Sequence, residues 1–185
     1  QTKVFKDNEL GLQLSHPSNW RIVRTRVATI FEFTVAEGGL ARVSIVRTNF
    51  TDTKDKWQEL TKEVAVSSNR EVLEQTEEVL LDVPLLLTRS KYESPQGPMM
   101  NLIGLLYSSA KNKLNFRLEA PESGFAEAEA TWRGTWASIR TLDGSLPTSE
   151  GTTGGGGASP DVPKAEPLIL NPPPANVRPV DSIPA

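Results

Sequence analysis

Short apolar and polar runs alternate along the first three-quarters of the chain. Leu10, Leu12 and Leu14 recur at period two around Gly11 and Gln13, the pattern of a half-buried strand. Val27 to Val35 is rich in β-branched and aromatic residues and predicts a second strand. Glu37-Gly38-Gly39 reads as a hairpin turn, and Ala41 to Asn49 as the returning strand, with Val43, Ile45 and Arg47 on one face. Four more runs follow: Glu71 to Leu81, Leu85 to Tyr92, Met99 to Tyr107 and Leu114 to Leu118. Pro84, Pro95-Gln96-Gly97-Pro98 and Lys111-Asn112-Lys113 punctuate them, which suits an antiparallel meander.

Two stretches change period. Thr51-Asp52-Thr53 is a helix N-cap signal, and Trp57, Leu60 and Val64 then fall at spacings of three and four. Phe125, Ala128, Trp132, Trp136 and Ile139 form a second stripe, on a helix read from Pro121 to Ile139. The order is strands, helix, strands, helix. Sequential strands without a helix between each pair argue against a doubly wound parallel sheet. The expected class is α+β, an antiparallel β-sheet flanked by helices.

Composition breaks at Asp143. Nine of the fourteen prolines lie in 144–185, together with the unbroken run Gly154 to Gly157, and no aromatic residue. This segment cannot bury enough apolar surface to offset its own ordering entropy. It reads as an extended, irregular C-terminal tail with a flexible glycine part and a polyproline II part. The division expected is a globular domain over 1–143 and a Gly/Pro-rich tail over 144–185. The tail carries an apolar island, Leu168, Ile169 and Leu170, before Pro172, Pro173 and Pro174, and then Val177, Val180 and Ile183 at spacings of three. Stiff extended segments bearing spaced apolar anchors suit docking along a partner surface, so these nine residues are the candidate partner-binding set.

Charge and residue types narrow the chemistry. The net charge is -3, which argues against nucleic acid as the main partner. Zero cysteines exclude disulfides, thiolate metal sites and cysteine nucleophiles, and a single histidine excludes sites needing two imidazoles. His16 sits beside Pro17 and reads as a turn histidine, exposed or capping. Glu77 and Glu78 would point to opposite faces of a strand, and Glu127 and Glu129 diverge on a helix, so neither pair converges for acid–base work. Asp52, Asp55 and Glu59 read as a solvated helix face beside Lys56 and Lys62. The glycine run lacks the lysine and the strand–helix setting of a phosphate loop. No catalytic residue, cofactor or metal ligand is assigned. No apolar run reaches the ~18 residues of a membrane-spanning helix, so no direct membrane span is expected.

The strand running into Leu12-Gln13-Leu14-Ser15-His16-Pro17-Ser18-Asn19-Trp20 resembles the strand-Pro-x-x-Trp signature that opens PsbP-like domains. The hairpin strand Ala41-Arg42-Val43-Ser44-Ile45, the helix from Trp57 to Val66 and the meander from Glu71 to Leu118 follow in that family's order. Trp136-Ala137-Ser138-Ile139-Arg140 stands where the family begins a strand after its last helix. Asp82-Val83-Pro84 replaces the glycine that usually opens the later hairpin, and the tail after Asp143 lies outside the pattern. The resemblance covers 1–143 and implies an α/β/α sandwich. It also implies a non-enzymatic role, since lumenal members attach to photosystems, a related eukaryotic family binds a nuclear transport GTPase, and bacterial members are envelope proteins.

The expected function is an extrinsic structural subunit on the exported face of a larger membrane complex, most concretely a photosynthetic reaction-centre or photosystem assembly. Its partners would be subunits of that complex, held by the tail and one face of the domain. The alternative is a freestanding secreted or periplasmic ligand-binding module. The start at Gln1 rather than Met adds the expectation of an exported, periplasmic or thylakoid-lumen-like chain.

Overall fold

The computed structural model describes residues 1–36 and 39–143. Ten strands and two α-helices follow one another as β1 (Thr2–Asp7), β2 (Leu12–Pro17), β3 (Arg21–Arg24), β4 (Thr29–Thr34), β5 (Leu40–Thr48), α1 (Lys54–Ser67), β6 (Glu71–Leu80), β7 (Val83–Ser94), β8 (Gly97–Leu106), β9 (Lys113–Pro121), α2 (Phe125–Trp136) and β10 (Arg140–Thr141). A seven-stranded antiparallel sheet has the order β3-β4-β5-β9-β8-β7-β6, and a three-stranded sheet the order β1-β2-β10. The α+β expectation holds.

Alternation along the strands sets the layers. Phe31, Val43, Leu118 and Leu102 stand opposite one another in register and form one apolar row. This row faces α2 and the small sheet, burying Trp132, Trp136, Leu12 and Leu14 in the main core. The opposite face receives α1 over β6, β7 and the end of β8, where Trp57 packs on Leu86 and Leu105. Thr53 caps α1 as its spacing predicts, its hydroxyl accepting from the Lys56 N–H at 3.3 Å.

Several boundaries differ from the sequence reading. The second helix starts at Phe125, not Pro121, because β9 runs on through Pro121, which pairs with Met99. It ends at Trp136, yet Ile139 stays in the core through the turn that follows. Val27 lies outside β4 and is exposed, since the Thr25 hydroxyl accepts from the Val27 and Ala28 amides and holds a turn there. The reading missed β1 and β3, while the strand start that the resemblance places at Trp136 to Arg140 leads into β10.

His16 is corrected outright. It lies within β2, is 4% exposed, and its ring stands 5.9 Å from Phe31 and 6.0 Å from Trp20. Pro17 ends the strand one residue later than the turn reading assumed, and the alternation of Leu12, Leu14 and His16 turns the imidazole into the aromatic cluster. Its Nδ1 lies 2.7 Å from the Pro17 carbonyl oxygen.

The β6–β7 turn lacks glycine. Leu81 and Asp82 adopt φ of 52° and 60°, the left-handed region that the tightest hairpin turns require at both central positions. Asp82 is exposed, so relief of its backbone strain is not offset by lost packing. Asp82→Gly is expected to raise stability by ~0.5–1 kcal/mol, read as a shift in urea midpoint at unchanged slope.

Candidate functional site

The ion pairs gather along one side of α2. Arg133 makes a bidentate pair with Glu78 at 2.7 and 3.0 Å and also donates to Glu129 at 2.9 Å. Glu129 accepts from Arg89 at 2.7 Å, and Arg89 donates onward to Glu74 at 3.0 Å. Five charges on α2, β6 and β7 thus form one chain. The Arg133 hydrogen bond holds the Glu78 carboxyl below the usual carboxylate range against the opposing effect of burial, and the same bond raises Arg133. Such planar, two-point pairs fix geometry more than they add stability. Beside them lies a cleft of about 410 Å³ lined by Thr76, Glu77, Leu87, Leu102 and this network.

Asp7 anchors a second arrangement. Its carboxylate accepts from the Glu9 and Leu10 amides at 2.9 and 3.0 Å and from the Thr29 hydroxyl at 2.7 Å, tying β1 to β4. Burial pushes its pKa up, but these bonds and the Arg24 charge outweigh burial and leave it below 3.8. A depressed carboxyl contributes stability above its unfolded value that disappears as pH falls through the folded one. Native Asp7 is therefore expected to add to the loss of stability below about pH 4, and Asp7→Asn to flatten that acid limb. Urea unfolding at pH 7, 4 and 2.5 reads the difference.

The third arrangement is the half of the large sheet that α1 leaves uncovered. Ser90, Asn101, Glu119, Arg42, Glu32 and Arg21 stand in register across six strands on the α1 face. Glu32 accepts from Arg42 at 2.8 Å and from Arg21 at 3.1 Å. The row alternates in charge from β9 to β3 where a core face would be apolar.

The carboxylate readings hold. Glu77 pairs with Lys54 of α1 at 2.6 Å while Glu78 pairs with Arg133 of α2, on opposite faces. Glu127 accepts from the Ala36 amide at 2.7 Å, away from Glu129. Asp52 and Glu59 line a shallow hollow with Lys56 and Phe50. Among the described residues, no group of three or more His, Asp or Glu is placed to hold a metal ion. The predicted tail contacts, Leu168, Ile169, Leu170, Pro172, Pro173, Pro174, Val177, Val180 and Ile183, lie outside the described residues. No described helix is long and apolar enough to cross a membrane. The sequence reading missed the sheet-face row and the α2 network. The signal for the row was present in Arg42, Ser44, Arg117 and Glu119, polar residues that alternate with apolar ones on two core strands.

No family model and no curated protein matches this sequence. Solved structures do match by fold. A Pseudomonas aeruginosa protein of unknown function, PA94, described as a putative regulator, has a TM-score of 0.53 at 12% identity, covering 72% of this chain and 92% of its own. Cyanobacterial PsbP from Synechocystis has a TM-score of 0.55 at 13% identity, covering 76% of this chain and 92% of its own. The fold is PsbP-like. The serine of the strand-start motif has a role here: Ser138 accepts from the Ser15 amide at 2.8 Å, joining the end of α2 to β2 just before β10 pairs with it.

Proposed function

We propose that the protein is a non-enzymatic accessory subunit that docks on the exported face of a larger membrane protein complex, most concretely a photosynthetic reaction-centre or photosystem assembly. The observation that carries this reading is the charged row on β9, β5, β4 and β3, on the part of the seven-stranded sheet that α1 leaves uncovered. A face spanning several strands and bearing alternating charges is suited to a protein surface of matching charge, which would fix register and partner choice. The PsbP-like fold supports the photosystem version, and the tail supplies a second point of attachment. Two weak contacts on one chain combine through effective concentration.

The test is co-purification of the native protein from detergent-solubilised membranes. Co-elution with a large complex is expected, and replacing Leu168, Ile169 and Leu170 together by Ser is expected to lower retention on that complex by a factor on the order of 100 or more, since burying each such side chain contributes ~1.5–3 kcal/mol. Undiminished retention would move the whole interface to the domain. Elution as a lone monomer favours the second reading, a freestanding ligand-binding module, for which the 410 Å³ cleft beside α2 is the site.

A further inference from the structure

One cation on the uncovered sheet face is unlike its neighbours. Arg42 and Arg21 both pair with Glu32, but Arg117, one row along on β9, makes no hydrogen bond or ion pair among the described residues. Its Nε is buried and unpartnered. Burial, and then the charge of Arg70, push Arg117 below the usual guanidinium value. Arg70 follows α1 and lies over the Tyr92 ring at 4.8 Å, likewise without an ion pair. Asn101, a diagonal neighbour of Arg117, is fully buried; its Oδ1 accepts from Ser90, and its Nδ2 has no partner. Two guanidiniums that repel each other and an orphan amide donor therefore converge on one stretch of β8 and β9. An unsatisfied buried donor costs ~1–3 kcal/mol, so this cluster is a destabilising feature of the free protein.

We infer that Arg117 and Arg70, with the Asn101 amide behind them, form a binding site for a carboxylate presented by an acidic segment of a partner protein. The charge decides the class of ligand. Glu119 already faces Tyr92 and Arg117; burial first, and then the Glu119 charge, push the Tyr92 hydroxyl up to about 12. Two arginines against one glutamate leave a single positive charge at this place, which one carboxylate neutralises. The planar guanidinium fork matches the two oxygens of a carboxylate. The continuing row of charges on β5, β4 and β3 selects a segment of protein over a small acid. This rests on the docking reading and names the face that docks.

The experiment is a nuclear magnetic resonance titration of the full chain with a tetra-glutamate peptide, and in parallel with acetate and with inorganic phosphate. The peptide is expected to shift the Arg117 Nε–H and the Asn101 side-chain amide, to bind more tightly than acetate, and to weaken with added salt. Arg117→Gln and Arg70→Gln should each weaken the peptide at least tenfold, while Arg21→Gln changes it less than twofold. Arg117→Gln should also raise Tm by roughly 2–4 °C, because it removes an unpartnered buried charge. No shift with the peptide, an unchanged affinity in Arg117→Gln, or tighter binding of phosphate would each overturn the inference. So would a Tm lowered by Arg117→Gln, which would make Arg117 a structural residue. A chain that binds the peptide through Arg117 yet elutes alone from solubilised membranes keeps the site and overturns the docking reading instead.

Discussion

Trp132→Ala is expected to cost ~3–5 kcal/mol, a large part of the total stability of a domain this size. Trp132 is fully buried on α2, with its ring 5.4 Å from Phe116 and 6.3 Å from Trp136. It is the side chain through which α2 covers β9. Ala at this place leaves a cavity lined by aromatic rings that are themselves packed and cannot close over it. Trp132→Phe should be far milder, because the indole N–H has no partner and its removal takes away an unsatisfied donor. Urea unfolding followed by circular dichroism gives both values. A cost below about 1.5 kcal/mol for Trp132→Ala would mean that α2 is not the lid of the core.

The same cluster is expected to reject added volume. Gly104 stands opposite Phe116 in the β8–β9 ladder, and the phenyl ring lies across the space where a side chain would be. A Cβ built on Gly104 would come within 2.2 Å of Phe116 Cζ and 2.4 Å of Cε1. The ring cannot withdraw, because Trp132 and Trp136 stand 5.4 and 5.1 Å behind it. Gly104→Val should therefore cost about 3 kcal/mol or more, by forcing side chains off their rotamers or the two strands apart. Shrinking the ring should return part of this. Gly104→Val with Phe116→Leu is expected to lose less than the sum of the two single changes, a coupling that a double-mutant cycle measures. Strict additivity would show that the strain is relieved elsewhere.

The residues that carry periodicity gave the fold away. The spacing of Trp57 to Val64 and of Phe125 to Trp136 marks both helices, and the runs around Val43, Leu86, Leu102 and Leu118 mark the central strands. What escaped was decided by contacts distant in sequence. β1 has the polar pattern of a surface segment, with Val4 exposed, and becomes a strand because Thr2 to Asp7 pairs with β2. β10, whose start the Trp136 to Arg140 motif marks, is two residues long and owes its extent to pairing with Leu12 and Gln13. His16 misled because a proline beside it is a turn signal, whereas β2 continues through both. The sheet-face row was hidden for a further reason. Arg42, Glu119 and Glu32 belong to strands far apart in the chain, and their alignment is a property of register, which single-strand patterns do not contain.

The position of β9 bears on how the molecule is made. β3, β4 and β5 join by short connections, as do β6, β7 and β8, so each block can form from local contacts. β9 alone pairs with both, locally with β8 and across more than sixty residues with β5. Until Lys113–Pro121 has been synthesised, β5 and β8 are both open edges with apolar faces. Closing such a long-range pairing is slow, and unpaired edges of this kind are where chains aggregate. A chain stopped before Lys113 should therefore be a poor folder and a substrate for chaperones.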